Sequence, residues 1–284
     1  TAVFLHGLLG SSRNWRSFSR KLAQDAAART DRDVRMLLVD LRCHGASASR
    51  HGLHPPHSMA SAADDVAQLI KQQLGGRAPH LLAGLSLGGK VALQLLMQMP
   101  PLRGLPQQVW VLDSQPGTVP LDVDAPTSVG KIIQLIHEIP TPLPNRQALY
   151  KYLELQGISL PIAQWLGTSL GNGANGDQQL DWAFDIQGAA ALYHSYRLSS
   201  CWEVVARPPP GVAIHVVRGE RSDRWTPRML QQLAEAEARW RGAASAAPEA
   251  VGELQLHVLE RAGHWLQADN PVGLAELMLP RVKD

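Results

Sequence analysis

Cysteine is nearly missing from the chain: Cys43 and Cys201 are the two among 284 residues. Neither belongs to a C-x-x-C pattern, so neither a disulfide framework nor a structural metal is expected, and a reducing compartment fits. Charge is sparse too. Lys and Arg number 27 against 25 Asp and Glu, a formal net charge of +2, and the basic residues never form a run of five. That argues against nucleic acid or an anionic membrane as the main partner. No stretch of 18 apolar residues occurs, so no membrane span is expected. Internal repeats and low-complexity domains are absent as well.

What the sequence has is core. Hydrophobic residues make up 45% of it and charged residues 18%, enough to bury a sizeable interior in one α/β domain with an insertion. Short apolar runs at 2–5, 35–39, 80–83, 108–112, 212–217 and 253–259 predict central parallel strands covered on both faces. Stretches 58–74 and 88–99 carry apolar residues at i, i+3, i+4 and i+7, and 228–240 alternates charge with Ala and Leu, which predicts helices between strands. This alternation implies an α/β sheet with right-handed crossovers. Between 114 and 201 no buried strand is evident. Amphipathic pieces at 129–139, 146–155 and 186–196 are joined there by IPTPLP and GNGANGD. The expected organisation is a core of 1–113 and 202–284 with a helical cap, 114–201, inserted. Residues 171–177 should form an exposed flexible loop, and the Ala-rich 243–247 a surface loop.

Within PHLLAGLSLGGKVALQLL (80–97), one serine interrupts the apolar run between glycines. Ser86 follows a predicted strand and opens a predicted helix, and Gly84 and Gly88 allow the sharp turn that lifts a hydroxyl above the sheet edge, as in a nucleophile elbow. The pattern alone is cheap, since Gly and Ser are common, and the serine could simply cap the helix. A serine nucleophile needs a base, usually a histidine held by a carboxylate. His264, in LERAGHWLQADNP, follows the last predicted strand and shares the carboxyl edge of the sheet with Ser86; a plain loop histidine would look the same. His6 and His44 precede the serine, against the chain order of this elbow, and are weaker candidates. FLHGLLGS (4–11) can present the Leu8 N–H to a substrate oxygen, and the Leu87 N–H would be the second donor of an oxyanion hole. DLRCHGAS (40–47) reads as a turn shaping these surroundings, with Cys43 a packed thiol.

FLHGLLGSSRNW, DLRCHGAS, GLSLGGKVAL, VLDSQPG and AGHWLQADNP resemble the successive signatures of the α/β-hydrolase superfamily, specifically its YbfF-like small esterases and the related mitochondrial abhydrolases of animals. The likeness spans most of the chain outside the cap. It implies a mostly parallel sheet with a helical cap, no cofactor, and hydrolysis of acyl esters or thioesters. Two departures stand out. Those relatives usually read Gly-His-Ser-Met-Gly at the elbow, where this chain has Leu85 and Leu87, making the floor of the site more apolar. Two strands expected ahead of Thr1 are missing, so the start reads as truncated and a sheet edge as unprotected. Targeting stays open on that reading: cytoplasm, or an organelle such as mitochondrion or plastid.

Two carboxylates compete as the acid. Asp223, in RGERSDRW, occupies the usual superfamily region. Asp113, in VLDSQPG, matches a VDxxP-like signature of the YbfF-like group, whose members often lack an acid where Asp223 sits, and this pattern favours Asp113. Asp185, in the cap, is a remote third. The expectation is a Ser86–His264–Asp113 hydrolase of short to medium acyl esters or thioesters, with Trp165, Trp182 and Trp202 available to line an apolar cleft, and with its oligomeric state open. Two alternatives remain: a ligand receptor on a hydrolase scaffold, and a lyase or C–C-bond hydrolase of the same fold. A dehalogenase or epoxide hydrolase would want a carboxylate at position 86.

Overall fold

The computed structural model describes all residues except 31–32, 51, 99–101, 121–127, 173–178, 247–251 and 280–284. The first half alternates strictly: β1 (Ala2–Leu5), α1 (Arg16–Thr30), β2 (Met36–Val39), α2 (Met59–Gln73), β3 (Leu81–Leu85), α3 (Leu87–Gln98) and β4 (Gln108–Leu112). An insertion follows, with α4 (Val129–Glu138), α5 (Arg146–Leu155), α6 (Leu160–Gly167), a hairpin of β5 (Leu170–Asn172) and β6 (Leu180–Trp182) and α7 (Ile186–Leu198), and α8 (Trp202–Ala206) leads back to the sheet. The alternation then resumes with β7 (Ala213–Gly219), α9 (Pro227–Ala246), β8 (Glu253–Leu259), α10 (Leu266–Asp269) and α11 (Pro271–Met278). The main sheet has six strands in the order β2-β1-β3-β4-β7-β8, and every pairing in it is parallel.

Side chains alternate across a strand, so each strand feeds two cores. Val3, Leu5, Val109, Val111, Ile214 and Val216 face α2 and α3. Ala2, Phe4, Trp110, Leu112 and Val217 face the other way, against Trp15, against Phe18 and Leu22 of α1, and against Leu274 and Met278 of α11. Because both faces are covered, the inner strands β1, β3 and β4 read as nearly unbroken apolar runs, whereas β8 at the sheet edge alternates. The first core continues into the insertion through Ile132 and Leu135 of α4, Leu149 of α5, Leu166 of α6 and Leu192 of α7. Backbone bonds tie the insertion down as well: Gly45 N–H donates to Ala183 C=O at 2.7 Å and Asp185 N–H to Cys43 C=O at 2.8 Å.

Several elements differ from expectation. Helix α1 lies outside the expected helices, although its buried Phe18, Leu22 and Ala26 recur at i, i+4 and i+8 with polar residues on the other face. Helix α6 carries Pro161 in its first turn, where proline has no intrahelical bond to lose. The Ala-rich stretch is not a loop up to Ala246, since α9 runs that far, in keeping with alanine being the strongest helix former; residue 247 lies outside the described residues. Of the expected loop 171–177, Gly171 and Asn172 belong to β5, and the rest falls outside the described residues. Strand β2 forms one edge of the sheet and is half-buried throughout. No helix among the described residues is long and apolar enough to cross a membrane.

The aromatic group beneath β1 makes a clear test of the second core. Phe4 is fully buried, with ring centroids 5.1 Å from Trp15 and 6.2 Å from Phe18. Phe4→Ala should lower unfolding free energy by about 3–5 kcal/mol, read by urea denaturation. A loss under about 1 kcal/mol would mean that the cavity collapses.

Candidate active site

In a parallel sheet every strand delivers its following loop to the same edge. Here those loops bring together residues 6–9 after β1, Ser86 after β3, Asp113 after β4, 222–225 after β7 and His264 after β8.

Ser86 has φ +52°, a left-handed conformation that side chains other than glycine rarely adopt. It is held there by bonds on both sides: its N–H donates to Leu112 C=O at 2.9 Å, and its C=O accepts from Gly89 and Lys90 at 2.9 and 3.2 Å. The flanking glycines are required by contact. A Cβ on Gly84 would lie 2.2 Å from the Gly88 backbone, and one on Gly88 would lie 2.6 Å from His6 O and 2.7 Å from Leu5 O.

Asp113 also has a positive φ, +42°, and is buried. Its carboxylate takes four donors. Gly219 N–H and Trp225 Nε1–H reach Oδ1 at 3.2 and 2.8 Å, while Ser222 Oγ–H and His264 Nδ1–H reach Oδ2 at 2.7 and 2.6 Å. Burial by itself would push this carboxyl up. The hydrogen bond and charge of His264, with the Ser222 and Trp225 donors, outweigh it and hold the group below the usual carboxylate range. Asp223 lies elsewhere: its side chain is 84% exposed, with its carboxylate 3.6 Å from Arg224 Nε. Asp185 is the N-terminal residue before α7 and faces Cys43 rather than His264.

His6 and His44 are fully buried and locked as neutral rings. His44 Nε2 accepts from Leu9 N–H at 3.0 Å and Nδ1–H donates to Arg42 C=O at 2.9 Å. His6 Nε2 accepts from Leu41 N–H at 3.0 Å, and Nδ1–H donates to Gly7 C=O at 2.7 Å. A ring nitrogen facing an N–H must be the acceptor, so these bonds fix the tautomer of each. Burial lowers both, His44 to about 3. The pair thereby pins the loop carrying Leu8. The Leu87 N–H stands at the first residue of α3, where a helix offers no internal acceptor. Cys43 is a buried thiol pushed up to about 12 by burial and by Asp185, which suits packing and not attack.

Two cavities meet at these residues. One, of about 370 Å³, is lined by Leu8, Leu9, Leu85, Ile132, Ile162, Trp165 and Trp265 together with Ser86 and His264. The other, of about 70 Å³, is lined by Leu8, Ser86, Leu87, Gln115, Tyr193, Arg224 and His264. Of the expected tryptophans, only Trp165 lines the large cavity. Trp182 packs on Phe184 at 5.0 Å, and Trp202 lies against Gly117.

A model of the alpha/beta hydrolase family matches residues 2–277. The chain belongs to that family. It is 36% identical over 149 residues to the sn-1-specific diacylglycerol lipase ABHD11 of Mus musculus, a match taking in 51% of this chain and 42% of that protein. It is also 36% identical over 101 residues to a probable alcohol acetyltransferase of Saccharomyces cerevisiae, covering 35% and 27% of the two chains. The chain thus matches less than half the length of these curated relatives. Among solved structures, a marine microorganism esterase superposes with TM-score 0.69 at 22% identity, over 98% of this chain and 94% of the other. The peroxisomal alpha-beta-hydrolase Lpx1 of Saccharomyces cerevisiae gives 0.65 at 18%, over 99% and 75%. These last two likenesses concern the fold.

Some residues of this chain carry no signal in the sequence pattern. Lys90 is fully buried in α3, where its Nζ donates to Gly117, Tyr196 and Ser199 carbonyls at 2.7, 2.8 and 3.2 Å and sits 3.9 Å from the Tyr196 ring centroid. Burial lowers it to about 8. It fastens the helix that follows Ser86 to the insertion. Ser222 and Trp225 were passed over beside Asp223, although the same RGERSDRW stretch holds them. Away from both cavities, Cys43 Sγ, a His57 ring nitrogen and an Asp185 carboxylate oxygen lie within 4.8 Å of one another. Three donors fall one short of the four that structural zinc sites use.

The glycine contacts are testable alone. Gly88→Ala forces a methyl against two backbone carbonyls and should cost about 1–3 kcal/mol, whereas Gly171→Ala, whose new Cβ would meet only Ala183 Cβ at 3.8 Å, should be close to neutral. Equal denaturation midpoints for both variants would show that the turn after β3 can relax.

Proposed function

We propose that the chain is a serine hydrolase of acyl esters or thioesters of short to medium length, with Ser86 as nucleophile, His264 as base and Asp113 as the group that orients the base. The observation that carries this reading is the 2.6 Å bond between His264 Nδ1 and the buried Asp113 carboxylate, on a histidine that shares both cavities with a serine held at a positive φ. With Nδ1–H bound to Asp113, Nε2 is the nitrogen left to act as base. It takes the Ser86 proton as Oγ attacks the acyl carbon. The proton then passes to the leaving alkoxide or thiolate, and a water deprotonated by the same nitrogen releases the acid and restores the serine. The Leu8 and Leu87 N–H groups hold the oxyanion, one from a loop pinned by two neutral histidines and one from a helix start. Residues 114–201 act as the cap, their Ile132, Ile162 and Trp165 shaping the acyl cleft. The reaction calls on no cofactor.

The curated relatives support acyl chemistry by their names, one a diacylglycerol lipase and one a probable alcohol acetyltransferase. The second name makes alcohol a possible acceptor in place of water, so products should be analysed with ethanol present. Many turnovers on p-nitrophenyl acetate and butyrate would set an enzyme apart from a receptor on this scaffold. A carbon–carbon substrate panel separates the lyase reading.

A fluorophosphonate should label the wild type at Ser86 and leave a folded Ser86→Ala unlabelled. His264→Ala should lose activity by a similar factor, since such residues act as a unit, and Asp113→Asn by about 10³–10⁴-fold, while Asp223→Asn costs little. Labelling at another residue, or a larger loss in Asp223→Asn than in Asp113→Asn, would overturn the assignment. Rates should rise with acyl length, each buried methylene contributing about 0.8 kcal/mol, then fall once the large cavity is full. Sharp activation on long-chain triglyceride micelles would contradict the short-to-medium preference.

A further inference from the structure

Arg224 stands beside the reacting groups and has no part in the reaction as written. It lines both cavities, together with Ser86 and His264. The loop that carries it already grips Asp113 through Ser222 and Trp225, and the Arg224 carbonyl accepts from the Gln115 side chain, so the arginine projects from a braced backbone. Its Nε is buried and makes no hydrogen bond. The Asp223 carboxylate lies 3.6 Å from Nε on a side chain 84% exposed, a pairing too long and too wet to neutralise it well. Asp113 is the one carboxylate among the described residues lining either cavity, and its four donors already saturate it. The Arg224 side chain, 36% exposed, thus has a solvent-screened acid as its ion-pair partner. A guanidinium presents a planar fork suited to a carboxylate.

We infer that the site takes esters or thioesters bearing a carboxylate, which Arg224 binds. The acyl arm occupies the cavity of about 370 Å³ among Ile132, Ile162 and Trp165, whose lining includes Arg224. Its terminal carboxylate meets Arg224 where that residue is shared with the small cavity, beside Gln115 and Tyr193. This inference rests on the serine-hydrolase reading for its chemistry but concerns binding.

The test compares the monoethyl ester of glutaric acid with ethyl valerate, which match in acyl length and differ in the terminal carboxylate. The wild type should show a kcat/KM ratio favouring the hemi-ester, and Arg224→Gln should reduce that ratio by about tenfold or more, through KM rather than kcat. Arg224→Lys should keep part of the preference. Equal ratios in wild type and Arg224→Gln, or a parallel fall in kcat for both esters, would overturn the inference and assign Arg224 to the general electrostatics of the reaction. If the wild type hydrolyses neither ester, the serine-hydrolase reading is in difficulty, and binding decides the inference separately. Calorimetry with Ser86→Ala should then show hemi-ester affinity weakened about tenfold or more by adding Arg224→Gln; unchanged affinity would overturn it.

Discussion

The site depends on one buried carboxylate. Asp113 is taken out of water at the end of β4, and its charge is sustained there only because donors from the loops after β7 and β8 converge on it. Each donor is thereby positioned in return. The Trp225 indole and the Ser222 hydroxyl fix the loop presenting Arg224, and the bond to Nδ1 fixes the plane and tautomer of His264. Removing the carboxylate would leave several buried donors unmatched, so it has a structural part apart from the role proposed for it.

A second constraint is steric. β3 and α3 approach until Gly84 and Gly88 touch backbone to backbone, which forces the intervening serine into its left-handed turn. The strained turn is retained because the sheet over-determines it: the Ser86 N–H is spent on Leu112 C=O, and the Asp113 N–H on Val217 C=O. Strand pairing thus sets Ser86 and Asp113 side by side at the sheet edge. The insertion closes over this edge through shared core and through the buried Lys90 ammonium, which collects three carbonyls. Ser169 in the insertion donates to Leu9 C=O at 2.5 Å, so the loop proposed to hold the oxyanion is braced from above as well as by His6 and His44.

The six strands of the main sheet were legible as short apolar-rich runs, the inner β1, β3 and β4 nearly continuous because helices cover both faces, the edge strand β8 alternating. The placing of Ser86 and His264 in loops at the sheet edge was legible through local order, strand to turn to helix. Asp113 and Asp223 were not separable locally, since each follows a strand in a polar turn. What sets their surroundings apart is the pairing of β4 with β7, a contact between segments a hundred residues apart, while the family pattern favours Asp113. Lys90 reads as the solvated side of a helix until the insertion lands on it. Arg224 and Trp225 look like neighbours of an exposed acid until the loop folds and sends Trp225 inward, with Asp223 left in solvent. Such residues are defined by tertiary context, which periodicity does not record.

The bond between His264 and Asp113 can be observed without substrate. In nitrogen-15-labelled protein, a hydrogen-bonded Nδ1–H of His264 should give a low-field proton resonance, retained in Asp223→Asn and lost or moved far upfield in Asp113→Asn. A resonance that survives in Asp113→Asn, or vanishes in Asp223→Asn, would contradict the account.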